Sequence, residues 1–309
     1  MATPFIDIIK QAPLVLGQGS VLERLNRMES VTLDPHVANA ALVYDAIGRR
    51  AMADLYHQYL DVGQRADLPM LLTTPTWRAN RERIAAAGLD GPQLLADCVD
   101  FTLDLRARYQ PWSSKVQVGG LLACRGDAYR PDEALAPDDA KRFHDWQVGQ
   151  LAQTPVDYLR GATLPAMSEA LGLAGLLAEC GKPYVLSFII RPDGTLLDGN
   201  ALDRVVHTID DSVGTPPVFY ALNCVHPSIV ISALEQLPAT VTERLWGLLA
   251  NAAALSPEQL DCATTMIADE PEPFAAKMLD LKMRYGMKIL GGCCGTDQRH
   301  IQAIVDACA

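Results

Sequence analysis

The sequence lacks any run of about 18 consecutive apolar residues, the length that a helix needs to cross a membrane. It also lacks a cluster of Lys and Arg: its 26 basic residues are outnumbered by 37 acidic ones, and the formal net charge is −11. Nucleic acids and anionic membranes are bound by basic patches, so neither partner is expected. The first residues include Asp7 and Lys10 without a long apolar core, unlike a secretory signal peptide. These absences predict a cytoplasmic protein.

The sequence also contains no C-x-x-C pair, the spacing from which structural zinc fingers and ribbons are built. Eight cysteines are nevertheless present, and two of them, Cys293 and Cys294, are adjacent. Disulfides are rare in a reducing cytoplasm. A group of thiols in such a protein is expected to bind a metal or to take part in catalysis, whereas an isolated cysteine is expected to fill the core.

No Gly/Ser-rich linker and no change of composition divides the chain, so residues 1–309 are predicted to form a single domain. Short apolar or β-branched runs alternate with helical patterns, and several runs lack the in/out alternation of a half-exposed strand, as in parallel sheets buried on both faces. Repeated βα units predict a parallel sheet, and eight of them predict an α/β fold of the (β/α)8 TIM barrel type. The predicted strands cover residues 13–16, 70–74, 116–123, 156–162, 184–190, 217–223, 263–268 and 287–290.

Helical patterns lie between these runs. The pattern over residues 44–63 is predicted to end at Gly63, because glycine commonly follows the last turn of a helix. The remaining predicted helices cover residues 92–109, 136–152, 165–181, 274–286 and 297–308.

Three cysteines follow the sixth and eighth predicted strands. Barrels of this type carry their active sites at the carboxyl ends of the strands. Cys224 follows the sixth predicted strand, and Cys293 and Cys294 follow the eighth, so thiols 69 residues apart (293 − 224) would meet at the barrel mouth. Thiolate sulfur suits zinc, and three protein ligands leave a fourth coordination position for substrate, as in catalytic sites.

The chemistry of such a site differs from that of a zinc hydrolase. Three thiolates and one divalent cation have a net charge of about −1, which makes the metal a poor generator of hydroxide but suits it to holding a substrate thiol as thiolate. The site therefore predicts S-alkylation. The flanking Gly291, Gly292 and Gly295 would give the backbone the freedom, including positive φ, that two adjacent ligands need. The alternative is that Cys224 is simply buried and that the paired cysteines are accidental.

The GGCCGT stretch at residues 291–296, with Asn223-Cys224 upstream, resembles the homocysteine S-methyltransferase family. The similarity extends over nearly the whole chain and includes the TPTW segment at residues 74–77. The resemblance implies a zinc-dependent (β/α)8 methyltransferase. In that family the cysteine of the NC pair and the two adjacent cysteines bind zinc. Carried over, the metal ligands and catalytic centre are Cys224, Cys293 and Cys294.

The sequence departs from the family where the amino acid is recognised. Gly17 stands where the family has an Asp, and Ala162 stands where it has a Glu. In the family these two carboxylates lie where they can hold the ammonium group of homocysteine. The family's Gly-Pro after the third strand is replaced over residues 123–127, and its Pro-Asn after the seventh strand is not recognisable in residues 263–269. The acceptor is therefore homocysteine or a related thiol.

Other residues are candidates for binding substrate. Arg125, Arg160 and Arg191 fall near strand ends and could hold an anionic group through bidentate hydrogen bonds. The alternative for each is a solvent-facing loop position or a salt bridge between helices. The ring of Trp77 could attract a sulfonium or quaternary ammonium donor, although it could equally serve in packing. Asn223, next to Cys224, completes the predicted substrate-binding set.

The sequence thus predicts a zinc-dependent enzyme of methionine biosynthesis. It would move a methyl group from S-methylmethionine, S-adenosylmethionine or a betaine-like donor to a small thiol. One alternative is a methyltransferase or demethylase that acts on a different, anionic thiol/sulfonium pair. Another is a zinc-binding barrel without catalysis. Homo-oligomerisation and a corrinoid-carrying partner are left open.

Overall fold

The computed structural model describes residues 5–255 and 268–308, which form a closed barrel of eight parallel strands. Each strand pairs with the next in the sequence, and the eighth pairs with the first, so the sheet has no free edge. The predicted α/β fold, a (β/α)8 barrel, is confirmed. The strands are β1 (Val15–Gly17), β2 (Met70–Thr73), β3 (Val116–Ala123), β4 (Tyr158–Leu164), β5 (Tyr184–Phe188), β6 (Phe219–Asn223), β7 (Leu245–Ala250) and β8 (Ile289–Gly292).

Helices fill the connections between the strands. Within the described ranges none of them is long and apolar enough to cross a membrane. They are α1 (Phe5–Gln11), α2 (Leu22–Asn26), α3 (Ala46–Ala66), α4 (Arg81–Ala86), α5 (Gly91–Ala107), α6 (Pro137–Ala152), α7 (Met167–Glu179), α8 (Leu202–Ser212), α9 (Pro227–Leu234), α10 (Ala239–Thr242), α11 (Pro271–Tyr285) and α12 (Gln298–Cys308).

The seventh strand is not where the sequence pattern placed it. The prediction of residues 263–268 is wrong, because β7 pairs with both β6 and β8 and so occupies the seventh position in the barrel. Residues 263–267 lie outside the described residues. A Cβ at Gly247, within β7, would lie 3.3 Å from the Cβ atoms of Ala221 and Ile289. The close approach of the strands requires glycine at this position. Because glycine is uncommon within strands, its presence in residues 245–250 makes this segment harder to predict as a strand.

The predicted end of α3 is also wrong. The helix continues past Gly63 to Ala66, and Asp67 ends it in the left-handed conformation, with φ 55°. Aspartate tolerates this conformation better than most residues. Gly63 is instead a packing residue, because a Cβ there would lie 2.8 Å from the ring of Trp112.

One end of the barrel is closed by α1. The ring of Phe5 stacks on that of Tyr158, with centroids 4.4 Å apart, inside the barrel. Ile9 joins the same apolar cluster, which contains residues from the starts of the strands. Burial of this apolar area holds α1 across the barrel. The other cluster members are Val15, Leu71, Val185, Phe219, Ala221 and Ile289.

Candidate active site

The carboxyl ends of β6 and β8 bring three thiols together. The Sγ atoms of Cys224 and Cys293 lie 2.9 Å apart. The thiol of Cys294 interacts with both of them. All three residues are partly exposed. The structure thus joins residues that are distant in the sequence into one cluster at the barrel mouth.

The backbone at the ends of β4 and β6 adopts an uncommon conformation. Thr163 and Cys224 both have φ 55°, which is unfavourable for residues with a Cβ. Asn223 links these two positions: its Oδ1 accepts from the Thr163 amide at 3.1 Å, and its Nδ2 lies 3.1 Å from the Cys224 Sγ. Such strain persists where the surroundings fix it, and it is common at functional sites.

Both ends of the Asn223 amide are engaged by protein groups. Its Oδ1 accepts a second hydrogen bond, of 2.6 Å, from the Ser187 hydroxyl. The side chain therefore orients the sulfur of Cys224. Direct contact between Asn223 and a substrate stays a prediction.

Neighbouring loops hold the segment that contains the paired cysteines. The amide of Cys294 donates to the Asn251 Oδ1 at 3.1 Å, and the amide of Gly295 donates to the Glu23 carboxylate. Gly295 has φ 80°, so the expected backbone freedom is used here. Gly291 and Gly292, which also lie in the described part of the chain, do not have a positive φ.

Gly291 serves a different purpose. A Cβ at this position would lie 2.7 Å from the Cα of Gly17, on the neighbouring strand β1. Glycine at both positions thus lets the backbones of β1 and β8 approach closely. The predicted role of Gly291 in backbone bending is therefore wrong: its lack of a side chain is what the structure uses.

Two residues near the thiols were not among those predicted. Tyr129, in the loop after β3, lies close to all three cysteines, and burial together with these thiols holds its pKa well above the usual range. Asn251 directly follows β7, and its buried side chain interacts with the Tyr129 hydroxyl, which offsets part of this rise in pKa. Ala250-Asn251 therefore stands where the family's Pro-Asn was expected. That signal was missed because the seventh strand had been misplaced, whereas nothing in the sequence pointed to Tyr129.

The three candidate arginines differ in their surroundings. Arg160, on β4, is only 7% exposed, and its Nη2 donates to the Ser187 hydroxyl at 3.0 Å. Its Nε is buried without a partner among the described residues, and burial lowers its pKa. Arg125 is exposed in the loop after β3, and Arg191 lies in the turn after β5, where its amide donates to the carbonyl of Thr195. Of the three, Arg160 is the one inside the barrel.

Trp77 lies between the ends of β2 and β4. Its Nε1 donates to the Thr163 hydroxyl at 3.0 Å. The guanidinium carbon of Arg78 lies 4.2 Å from the centroid of the Trp77 rings, so one face of the indole already contacts a cation. A cationic methyl donor would have to use the opposite face. Its contact with Trp77 stays a prediction.

The thiols influence one another's protonation. The hydrogen bond with Cys293 lowers the pKa of Cys224, but the interaction with Cys294 and burial raise it, and the net shift is upward. Cys124 gives a contrast: it is buried apart from the cluster, and burial raises its pKa to about 12. Its sulfur donates to the carbonyl of Gly126. This environment fits the expectation that an isolated cysteine fills the core.

Three thiols are suitable ligands for zinc, but the distance between two of them is shorter than the distance between sulfurs that share a zinc ion. Over residues 5–255 and 268–308, no group of three or more His, Cys, Asp or Glu side chains is preformed for a metal. Two sulfurs at 2.3 Å from a tetrahedral zinc ion are about 3.8 Å apart, whereas those of Cys224 and Cys293 are 2.9 Å apart. These thiols would have to separate to ligate one ion. Their number and type, from two strand ends, match thiolate coordination of zinc.

Comparisons with known proteins point to one family. A family profile described as homocysteine S-methyltransferase matches residues 15–308. The homocysteine S-methyltransferase of Escherichia coli is 28% identical over 250 residues, covering 75% of this chain and 77% of the relative. Betaine–homocysteine S-methyltransferase 1 of Danio rerio is 22% identical over 322 residues, covering 97% and 74%.

Solved structures agree on the fold. The metallated form of the homocysteine methyltransferase MmuM from Escherichia coli has a TM-score of 0.78 at 22% identity, over 98% of this chain and 99% of that one. The extent of the profile match establishes the relationship. The chain belongs to the homocysteine S-methyltransferase family, and the thiol S-methyltransferase class predicted from the sequence is confirmed at that level.

Proposed function

We propose that the protein is a zinc-dependent enzyme that moves a methyl group from an onium donor to homocysteine or a related thiol. The observation that carries this proposal is the convergence of Cys224, Cys293 and Cys294 at the barrel mouth. The metallated form known for the Escherichia coli relative supports a metal at such a site. Relatives named for betaine and for S-methylmethionine support a small onium donor.

The reaction exchanges one bond for another. The acceptor sulfur forms a bond to the methyl carbon while the bond between that carbon and the onium atom of the donor breaks. The electron pair of the broken bond stays on the donor, which leaves as a neutral amine or thioether, and the thiol proton passes to solvent. Holding both reactants in line supplies much of the rate enhancement in such reactions.

The three cysteines would hold the ion. When bound, zinc supplies positive charge that keeps the acceptor sulfur ionised near neutral pH. The protein's own contribution is to fix the ligands: Asn223 donates toward the sulfur of Cys224, and the Ser187 hydroxyl fixes the amide of Asn223. Groups that orient metal ligands in this way commonly change metal affinity or activity 10- to 100-fold when they are removed.

Turnover of a thiol–donor pair is the direct test. We expect the zinc-loaded protein to demethylate at least one of S-methylmethionine, S-adenosylmethionine and betaine, and only when a thiol is present. Product formation is measured by mass spectrometry, with chelator-stripped protein as the control. If no pair reacts while one zinc ion is bound per chain, the protein is a non-catalytic zinc-binding barrel and the proposal fails.

The role of Trp77 is tested by two substitutions. We expect Trp77→Ala to raise the KM for a cationic donor about tenfold, because a cation–π contact contributes about 1–2 kcal/mol when desolvated. Trp77→Phe keeps an aromatic face but removes the 3.0 Å hydrogen bond to Thr163, so it should have a smaller effect. The KM for the thiol should not change in either variant. An unchanged donor KM in Trp77→Ala would assign the ring to packing alone.

The cytoplasmic location and the oligomeric state stay predictions. The alternative that the sequence leaves open, an anionic thiol as the acceptor, has a specific structural basis in the surroundings of Arg160.

A further inference from the structure

The interior of the barrel mouth contains a buried positive charge. Within the described ranges Arg160 has no carboxylate partner; its hydrogen bond to Ser187 Oγ is to a neutral group. Its Nε has no partner at all. Burying a charge without pairing it is costly, and proteins normally avoid it. A bound anion would neutralise the charge of this guanidinium and accept hydrogen bonds from its unpaired N–H groups.

The position of Arg160 places it below the thiols. Tyr158, two residues earlier on β4, belongs to the apolar cluster inside the barrel, and side chains two apart share a strand face. Arg160 and Ala162 therefore also face the interior, with Ala162 nearer the mouth. The thiols of Cys224 and Cys293 are close enough to act on the charge of Arg160.

The two positions expected to carry carboxylates carry no charge. Gly17 has no side chain, and Ala162 contributes only a methyl group on the face that it shares with Arg160. The Glu23 carboxylate lies near Cys294, but it accepts the Gly295 amide and pairs with Arg27 at 2.6 Å. The interior of the barrel near the thiols thus offers the guanidinium of Arg160 but no carboxylate at residues 17 and 162, where the ammonium group of an amino acid would need an anion.

We propose that Arg160 binds the acidic end of the acceptor and that the preferred acceptor is a thiol acid, a small thiol with a carboxylate or sulfonate and no amino group. This inference rests on the proposed function, since it names the acceptor of that reaction. The thiol would reach the three cysteines while the acid end forms charge-assisted hydrogen bonds to the unpaired side of the guanidinium. An α-ammonium group would find no carboxylate at residues 17 and 162.

A panel of matched thiols tests this with the unmodified protein. The probes are 3-mercaptopropionate, 2-mercaptoethanesulfonate, neutral 2-mercaptoethanol, cationic cysteamine and homocysteine, each with the same donor. We expect kcat/KM for one of the two thiol acids to exceed that for 2-mercaptoethanol and homocysteine at least tenfold, and cysteamine to be the poorest. The first two probes distinguish a carboxylate from a sulfonate. A clear preference for homocysteine or cysteamine would overturn the proposal.

Substitution of Arg160 provides the second arm. Arg160→Gln should lower kcat/KM for the preferred thiol acid about 30-fold, since loss of a buried charge partner costs about 2 kcal/mol or more. The value for 2-mercaptoethanol should fall by a clearly smaller factor, part of which reflects the lost hydrogen bond to Ser187, and Arg160→Lys should restore part of the preference. Arg204→Gln, an exposed arginine on α8, is the matched control. An equal loss for all thiols would show that Arg160 acts on the cysteine cluster and would overturn the proposal.

A binding measurement separates this inference from the proposed function. Calorimetric titration with 3-(methylthio)propionate, which carries the acid but no free thiol, needs no turnover. Saturable binding that weakens in Arg160→Gln would support the anion site even if no methyl transfer occurred. Absence of binding to the wild-type protein would overturn it. Should Arg160→Gln fail to fold, Ala162→Glu, which places a carboxylate beside the guanidinium, should also weaken this binding; unchanged binding in that variant would count against the proposal.

Discussion

Replacement of Cys293 by serine is expected to abolish metal binding and methyl transfer together. The serine hydroxyl is not ionised at neutral pH and is a poor zinc ligand compared with a thiolate. The Sγ of Cys293 lies 2.9 Å from that of Cys224, so the substitution also removes the thiol that contacts Cys224. Groups that act as one catalytic unit lose most of their effect when one is removed, and we expect turnover to fall by about 10³-fold or more.

Zinc per chain after dialysis, measured by plasma spectrometry, and kcat are the two readouts. The matched control is Cys124→Ser, which also changes a cysteine that follows a strand, but one that is buried outside the cluster. The control should keep its metal, because the serine hydroxyl can still donate to the carbonyl of Gly126. Full turnover in Cys293→Ser, or equal metal loss in Cys124→Ser, would contradict the assignment of the metal to this cluster.

Replacement of Gly291 by valine is expected to have the second largest effect, this time on stability. A Cβ at residue 291 would lie 2.7 Å from the Cα of Gly17, 2.9 Å from its carbonyl carbon and 3.0 Å from the carbonyl oxygen of Gln18. All three are backbone atoms, so no side chain can turn aside to relieve the contact. The strands β1 and β8 would have to separate. We expect the free energy of unfolding to fall by about 3 kcal/mol, the upper end of the usual cost of overpacking.

Chemical denaturation monitored by circular dichroism measures this loss, and Gly291→Ala should show a smaller one. The control is Gly214→Ala, because a Cβ there would meet no atom within 4 Å and the backbone has no positive φ. This control should be neutral or slightly stabilising. Because Gly291 precedes the paired cysteines by two residues, Gly291→Val should also weaken zinc binding. Unchanged stability in Gly291→Val would show that the barrel closes more loosely than these distances indicate.

The cysteine cluster could be predicted because all strands of a parallel barrel end on the same side, whatever their exact lengths and bounds. Cys224 and Cys293 needed only to follow strands of one parallel barrel, since such strands present their carboxyl ends on the same side. The seventh strand could not be predicted in the same way. Its six-residue apolar run, Leu245–Ala250, cannot be told from a buried helical segment by periodicity alone. Misplacing it also concealed Asn251.

The sequence also could not show whether the side chain of Arg160 points into the barrel or toward the helices. Strands of a parallel barrel are buried on both faces, so the residues around Arg160 show no alternation that would reveal which face points inward. The proximity of Tyr129 to the thiols depends on the path of a loop, which no pattern in the sequence specifies. The predicted metal ligands could therefore be grouped from the strand ends alone, whereas the surroundings of Arg160 and Tyr129 needed the three-dimensional structure.

The stack of Phe5 on Tyr158 has a kinetic consequence. Because α1 lies across the far end of the barrel, both reactants of the proposed reaction would have to enter beside the cysteines. In the proposed arrangement, the acid end of the acceptor would reach Arg160, and the donor would lie above it with its onium group near Trp77. Whichever molecule lies deeper must arrive first and depart last. The proposed methyl transfer is therefore expected to be an ordered sequential process: the thiol would bind before the donor, and the spent donor would leave before the methylated product.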